Sequence, residues 1–161
     1  MSRPQTIIWI DPGQKTGIAE YNLTTGLITT VIETPDFQRV GDFLSNLHYL
    51  APRPVAIGWE NFIISAATAK KTQAPWSLEV IGVCRWLALS YGWTILQPQA
   101  PADRHLGKKE WVDALGWCPR GARDDGMSAC QHLLAYLLRS GLASQRIRDM
   151  IVTLQQGSSP G

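Results

Sequence analysis

The sequence predicts an α/β domain on a five-stranded mixed sheet, three antiparallel strands followed by two parallel ones, flanked by helices. A compact apolar run comes first, followed by two segments that alternate apolar with polar residues. An amphipathic helical stretch then leads to a second short apolar run, the pattern of a strand-helix-strand crossover. The 161 residues, 45% hydrophobic, supply one core and not two, and a charged fraction of 17% with net charge +2 excludes a disordered or polyionic chain.

Thr6 to Ile10 is the first strand, closed by Asp11-Pro12-Gly13. Gly17 to Leu23 and, after the Thr25-Gly26 turn, Leu27 to Glu33 complete an antiparallel meander. Thr34-Pro35-Asp36 places a capping hydroxyl before a proline at the first helical position, and Phe37, Val40, Phe43, Leu44, Leu47 and Leu50 recur at helical spacing. Pro52 and Pro54 end that helix, and Val55 to Glu60 is apolar enough for a buried central strand, parallel to the first.

Residues 61–75 are small and polar and read as a loop. Trp76 to Tyr91 is a helix with Leu78, Val80, Ile81, Val83, Trp86, Leu87 and Leu89 on nearly every side, so it must be covered on more than one face. Trp93 to Leu96 is the fifth strand, Pro98 and Pro101 break the chain, and Lys108 to Leu115 is a short helix. Asp125 to Arg139 is the last one, with a stripe of Met127, Cys130, Leu133, Leu134, Leu137 and Leu138. A single domain over residues 1–154 and a disordered Gly/Pro-rich tail over 155–161 are expected. Trp9, Trp59, Trp86 and Trp111 sit in apolar patterns and read as core, as do Cys84, Cys118 and Cys130.

Three scattered cysteines without a Cys-x-x-Cys pair argue against a disulfide framework or a zinc site. Ile7-Ile8-Trp9-Ile10 is far short of the roughly 18 residues of a membrane helix, and no secretory signal is readable. A cytoplasmic protein without membrane association is expected. Residues 1–60 carry a formal −2 and residues 61–161 a formal +4, with the surplus around Lys70-Lys71 and from Arg104 to Arg123. Such a surplus suits a phosphate-bearing partner, and equally an ordinary solvated face.

Four carboxylates can carry chemistry. Asp11 ends a buried strand, where a charge is expensive unless paired; it is also the type of residue that forms a turn before Pro-Gly. Glu60 ends the neighbouring strand, so both acids emerge at one sheet edge, unless Glu60 caps a loop or pairs with a lysine. Asp124-Asp125 precedes the final helix, where capping and the macrodipole favour acids in any protein. Together, clustered carboxylates need a cation, and an all-oxygen set favours magnesium or manganese. Lys108, Lys109, Arg120 and Arg123 flank the late acids as candidate phosphate contacts, and Lys70 and Lys71 as further ones. Phe62 can stack on a base or pack beneath its loop. His132, at i+7 from Asp125, reads as a solvent-facing or core-edge histidine, with an outer-shell role as the alternative.

Ile7-Ile8-Trp9-Ile10-Asp11-Pro12-Gly13 with Thr16-Gly17-Ile18-Ala19, then Val55-Ala56-Ile57 leading to Glu60, then Asp124-Asp125 opening a helix, resembles the RuvC family of Holliday junction resolvases. The resemblance spans about residues 6–140. It implies a ribonuclease H-like fold and a homodimer that nicks two opposed strands of a branched DNA junction. It also implies two Mg²⁺ or Mn²⁺ ions per active site, held by Asp11, Glu60, Asp124 and Asp125. Lys109-Glu110-Trp111-Val112 is similar to the family's Lys-x-x-Val segment, which gives Lys109, or Lys108, a contact with DNA near the cut. The family commonly carries a second acid three residues on in the last helix, where this chain has Ser128, and its aromatic after the glutamate falls at Ile63 instead of Phe62. A junction-binding protein that has lost cleavage is the first rival. An actin-like or sugar-kinase-type ATP-binding domain is the second, and the chain is short for it.

Overall fold

A computed structural model describes residues 4–50, 54–61, 74–119 and 124–157. Its five strands are β1 (Thr6–Asp11), β2 (Thr16–Asn22), β3 (Leu27–Thr34), β4 (Val55–Trp59) and β5 (Thr94–Ile95). The helices are α1 (Phe37–Leu50), α2 (Ala74–Ser90), α3 (Lys109–Ala114), α4 (Asp125–Arg139) and α5 (Gln145–Gly157), with a 3-10 helix at Pro101–Leu106. The sheet order is β3-β2-β1-β4-β5: β1 pairs antiparallel with β2 and parallel with β4, and β4 pairs parallel with β5. This is the mixed sheet that the sequence predicts.

Strand alternation sorts the core into two layers. Ile7 and Trp9 of β1, with Ala19, Tyr21 and Ala56, pack against Met127, Cys130, Leu133, Leu134 and Leu137 of α4, with α3 and α5 completing that layer. Ile8 and Ile10, with Ile18 and Ile57, face Val40 and Leu44 of α1 and Val80, Cys84 and Leu87 of α2. Gly58 stands beside Trp9 in the parallel register, and a Cβ there would overlap the indole ring. The absent side chain at 58 is thus the space in which Trp9 lies.

Several expectations need correction. The helix α5 was not expected: its stripe of Ile147, Met150, Ile151 and Leu154 packs on the α4 layer, and Gln155, Gln156 and Gly157 continue it instead of starting a tail. Residues 155–157 are thus helical, and the remaining expected tail, 158–161, lies outside the described residues. The first helix starts at Phe37 and not at Pro35; Asp36 Oδ1 accepts from the Gln38 N–H (2.9 Å), while Thr34 Oγ1 accepts from the Asp36 N–H (3.2 Å). Trp86 is no core residue, being 67% exposed, and Cys118 is only half-buried. The all-round apolar α2 resolves into a buried side, with Leu87 at 4%, and an outward side with Leu78, Trp86 and Leu89.

Candidate active site

Backbone pairing brings three of the predicted acids to one sheet edge. Asp11 is the last residue of β1 and stands beside Gly17 of β2. Glu60 follows β4, and its N–H donates to the Ile10 carbonyl (3.0 Å), which sets it one residue from Asp11 across the parallel pair. Asp125 begins α4, and α4 can reach this edge because of Gly17: a Cβ there would overlap the Asp125 carbonyl and the Gly126 nitrogen. The Thr16-Gly17 pair is therefore a steric requirement of the helix docking. The turn between β1 and β2 is tied on both sides, by Thr16 Oγ1 donating to the Gly13 carbonyl (3.3 Å) and by Ser77 Oγ of α2 donating to the Pro12 carbonyl (2.8 Å).

A cavity of about 550 Å³ opens at this edge, lined by the Pro12–Lys15 turn, Pro35, Glu60, Ser77 and Asp125. Burial pushes the Asp11 carboxyl up to about 6, helped by the charges of Glu60 and Asp125 and opposed by the Ser128 hydroxyl and His132. Asp125 is also raised, by burial first and then by Glu33 and Asp124, with Lys15 opposing. Asp124 lies exposed outside the cavity lining; its side chain makes no capping bond, so the helix-capping reading of this residue fails. Its carbonyl accepts the Ser128 N–H (3.0 Å).

Four groups of this site were not selected from the sequence. Glu33, at the end of β3, acts on Asp125 and pairs through Oε1 with Lys15 Nζ (3.4 Å), while its Oε2 is buried without a hydrogen-bond partner. Among the described residues Lys15 is a cation that the structure brings to the carboxylates. His132 is fully buried, not in the solvent-facing or core-edge place expected first but in the setting of its outer-shell alternative: Nε2 lies 2.7 Å from Glu60 Oε2 and Nδ1 lies 2.8 Å from Gln99 Oε1. Gln99, after β5, is the fourth. Only pairings across 18 or more residues of chain connect these groups, and no local spacing signals them.

The basic candidates are placed less decisively. Lys109 is exposed in the first turn of α3, and Lys108 Nζ sits over the Trp111 ring (5.0 Å) and near Glu110 (4.0 Å). Phe62, Lys70, Lys71, Arg120 and Arg123 lie outside the described residues. Among the described residues no three His, Cys, Asp or Glu side chains converge closely enough to grip one ion as they stand. The donor chemistry nonetheless fits a hard divalent cation. Asp11, Glu33, Glu60 and Asp125 gather against Lys15 and His132, burial and the neighbouring acids raise the proton affinity of Asp11 and Asp125, and Glu33 Oε2 and Ser128 Oγ are buried oxygens without a well-formed hydrogen bond among the described residues.

No protein-family model and no curated protein matches the sequence. Among solved structures the chain is similar to T. thermophilus RuvC in complex with Holliday junction substrate, at TM-score 0.53 and 20% identity over 87% of this chain and 98% of that one. It is also similar to a further Thermus thermophilus RuvC structure, at TM-score 0.51 and 16% identity over 86% and 98% of the two chains. The sheet order and these likenesses establish the ribonuclease H-like fold. No helix among the described residues is long and apolar enough to cross a membrane.

Proposed function

We propose that the protein is a RuvC-type, metal-dependent DNA endonuclease that resolves four-way or other branched junctions by paired nicks, leaving 5′-phosphate and 3′-hydroxyl ends. The observation that carries the reading is the gathering of Asp11, Glu60 and Asp125 at the sheet edge of this fold, beside an open cavity. Asp11, Glu60 and Asp125 would hold two Mg²⁺ or Mn²⁺ ions, to which Asp124, exposed outside the cavity lining, would contribute little. Bound there, such ions supply water activation and stabilise the leaving 3′ oxygen.

The chain's own groups bind and orient the substrate. Lys15 stands in the cavity wall, where it can meet a phosphate flanking the cut. Lys109, exposed at the start of α3, is the DNA contact that the family resemblance implies, with Lys108 beside it. Lys70, Lys71, Arg120 and Arg123 would supply further phosphate contacts, and Phe62 would stack on a base. A two-fold symmetric junction calls for two active sites related by a matching two-fold, and the outward apolar side of α2 is the surface assigned to that homodimer. The setting is cytoplasmic.

Purified protein incubated with a labelled four-way junction, with Mg²⁺ or with a chelator, tests the reading. Symmetric ligatable nicks that need the metal support it. Ser128, standing in place of a second acid on α4, favours the alternative of binding without cleavage, and a shifted junction with no product in Mg²⁺ or Mn²⁺ would establish that instead.

A further inference from the structure

We propose that His132 is a positioning residue which, with Gln99, clamps the Glu60 carboxylate in the orientation that its site requires; this rests on the nuclease reading of Glu60. The histidine sits inside α4 on the layer facing the sheet, a place where an unsatisfied polar ring would be strongly disfavoured. Its satisfaction comes from two side chains of the opposite sheet edge, and one of them is a carboxylate that lines the cavity. A purely structural histidine would be as well served by backbone carbonyls; this one spends its ring on Glu60.

The hydrogen-bond directions follow from Gln99. Its amide Nε2 donates to the His132 carbonyl (3.2 Å), so its Oε1 must be the atom facing His132 Nδ1, and Nδ1 must carry a proton. Nε2 then faces Glu60 Oε2 at 2.7 Å, a hydrogen-bond distance that ties the carboxylate to the ring. Gln99 is itself immobile: its N–H donates to the Trp59 carbonyl (3.1 Å) and its carbonyl accepts from the Asn61 N–H (2.7 Å), so it brackets Glu60 from both sides along the backbone. Trp9 stacks on the imidazole at 6.1 Å between centroids and 14° between planes, which sets the ring's tilt. Backbone, amide, imidazole and carboxylate form a closed circuit with Glu60 as its outermost member. Without it, Glu60 is a flexible side chain that must be ordered each time it is used.

The test uses the full chain and its His132→Ala and Gln99→Ala variants. Mn²⁺ binding is measured by titration calorimetry, four-way junction cleavage over graded Mg²⁺, and the imidazole protons by ¹H–¹⁵N correlation. In the parent, His132 Nδ1 should show a bound proton, with the Nε2 resonance shifted when Glu60 is changed to Gln. His132→Ala should weaken Mn²⁺ binding about 10- to 100-fold and raise the Mg²⁺ needed for half-maximal cleavage by a similar factor, with KM for the junction unchanged. Added imidazole should restore His132→Ala and have no effect on Gln99→Ala, which should show a smaller loss in the same direction. The proposal is overturned if both variants bind Mn²⁺ like the parent, if the Nε2 resonance does not respond to Glu60, or if imidazole fails to rescue a folded His132→Ala. Should His132→Ala not fold, Gln99→Ala and the proton spectrum decide. A parent that neither binds Mn²⁺ nor cuts overturns the nuclease reading and the clamp's purpose with it, while the spectrum still reports whether the bond exists.

Discussion

The Asp11 carboxylate is electrostatically costly to the fold, so replacing it should stabilise the protein while removing activity. Its pKa stands at about 6 against an ordinary 3.8, raised by burial and by Glu60 and Asp125. Below about 3.8 the carboxyl is protonated in folded and unfolded chains alike and contributes no penalty; above about 6 it is ionised in both, and the full penalty applies. Folding stability attributable to Asp11 therefore falls as pH rises from about 4 to about 6 and stays low beyond. The rise is equivalent to about 3 kcal/mol at its upper bound, at about 1.4 kcal/mol for each pH unit. Because the carboxylate retains some solvent contact and Asn keeps only part of the Ser128 interaction, Asp11→Asn should recover about 1–2 kcal/mol at pH 7.5 in chelator. For a domain of this size that is a rise in Tm of about 2–8 °C.

Thermal unfolding of both proteins at pH 4 and pH 7.5, with chelator and then with Mn²⁺, reads the effect. The variant's advantage should be present at pH 7.5 and vanish near pH 4. Mn²⁺ should raise the parent's Tm more than the variant's, because only the parent keeps the full carboxylate set. A variant less stable than the parent at pH 7.5, or an advantage that ignores pH, would refute the electrostatic account of Asp11. Cleavage retained near the parent's rate would refute its place in the site.

Asp125→Asn should reduce cleavage at least about a hundredfold, the upper end of what losing even an outer-shell partner costs, while Asp124→Asn, outside the cavity lining, should change it little; the reverse ranking in a single-turnover assay would reassign the acid. Gly17→Ala forces a methyl against the Asp125 carbonyl and should cost about 1–3 kcal/mol in denaturant unfolding, with loss of activity from the displaced α4 start. On α2, Trp86→Glu or Leu89→Glu, at 67% and 68% exposure, should leave a folded monomer in sedimentation, whereas Leu87→Glu, at 4%, should leave little soluble protein. A parent that sediments as a monomer at micromolar concentration would count against paired cutting by a homodimer.

Most of the fold was legible because its signals are local. The Ile7-Ile8-Trp9-Ile10 run reads as a strand covered on both faces, and the two core layers on either side of β1 are that coverage. The stripe of α1 points to one buried side, and the strand on each side of it implies the parallel pairing of β1 with β4. The missed α5 has an equally regular stripe, but Arg146, Arg148, Asp149 and three glutamines dilute it, and its burial depends on a groove that exists only once α3 and α4 have packed. Trp86 misled for the opposite reason: an aromatic in an apolar helix reads as core, yet a helix on one face of a small sheet has only one side to bury.

The site divides along the same line. Asp11, Glu60 and Asp125 end or begin regular elements, so strand order alone puts them together, and Gly17 explains why the helix can come so near. Glu33, Lys15, Gln99 and His132 have no such signature. Glu33 belongs to the site because the meander returns β3 alongside β2, with Glu33 level with Gly17 in the ladder. His132 belongs because two turns of α4 carry it from Asp125 back over Trp9, to where the Glu60–Gln99 bridge holds its partners. The electrostatics of Asp11 and Asp125 at this edge are thus set in part by groups placed through register. A substitution that shifts β3 on β2 or α4 on β2 by one residue should change proton and cation affinity at Asp11 and Asp125 even with every carboxylate still present.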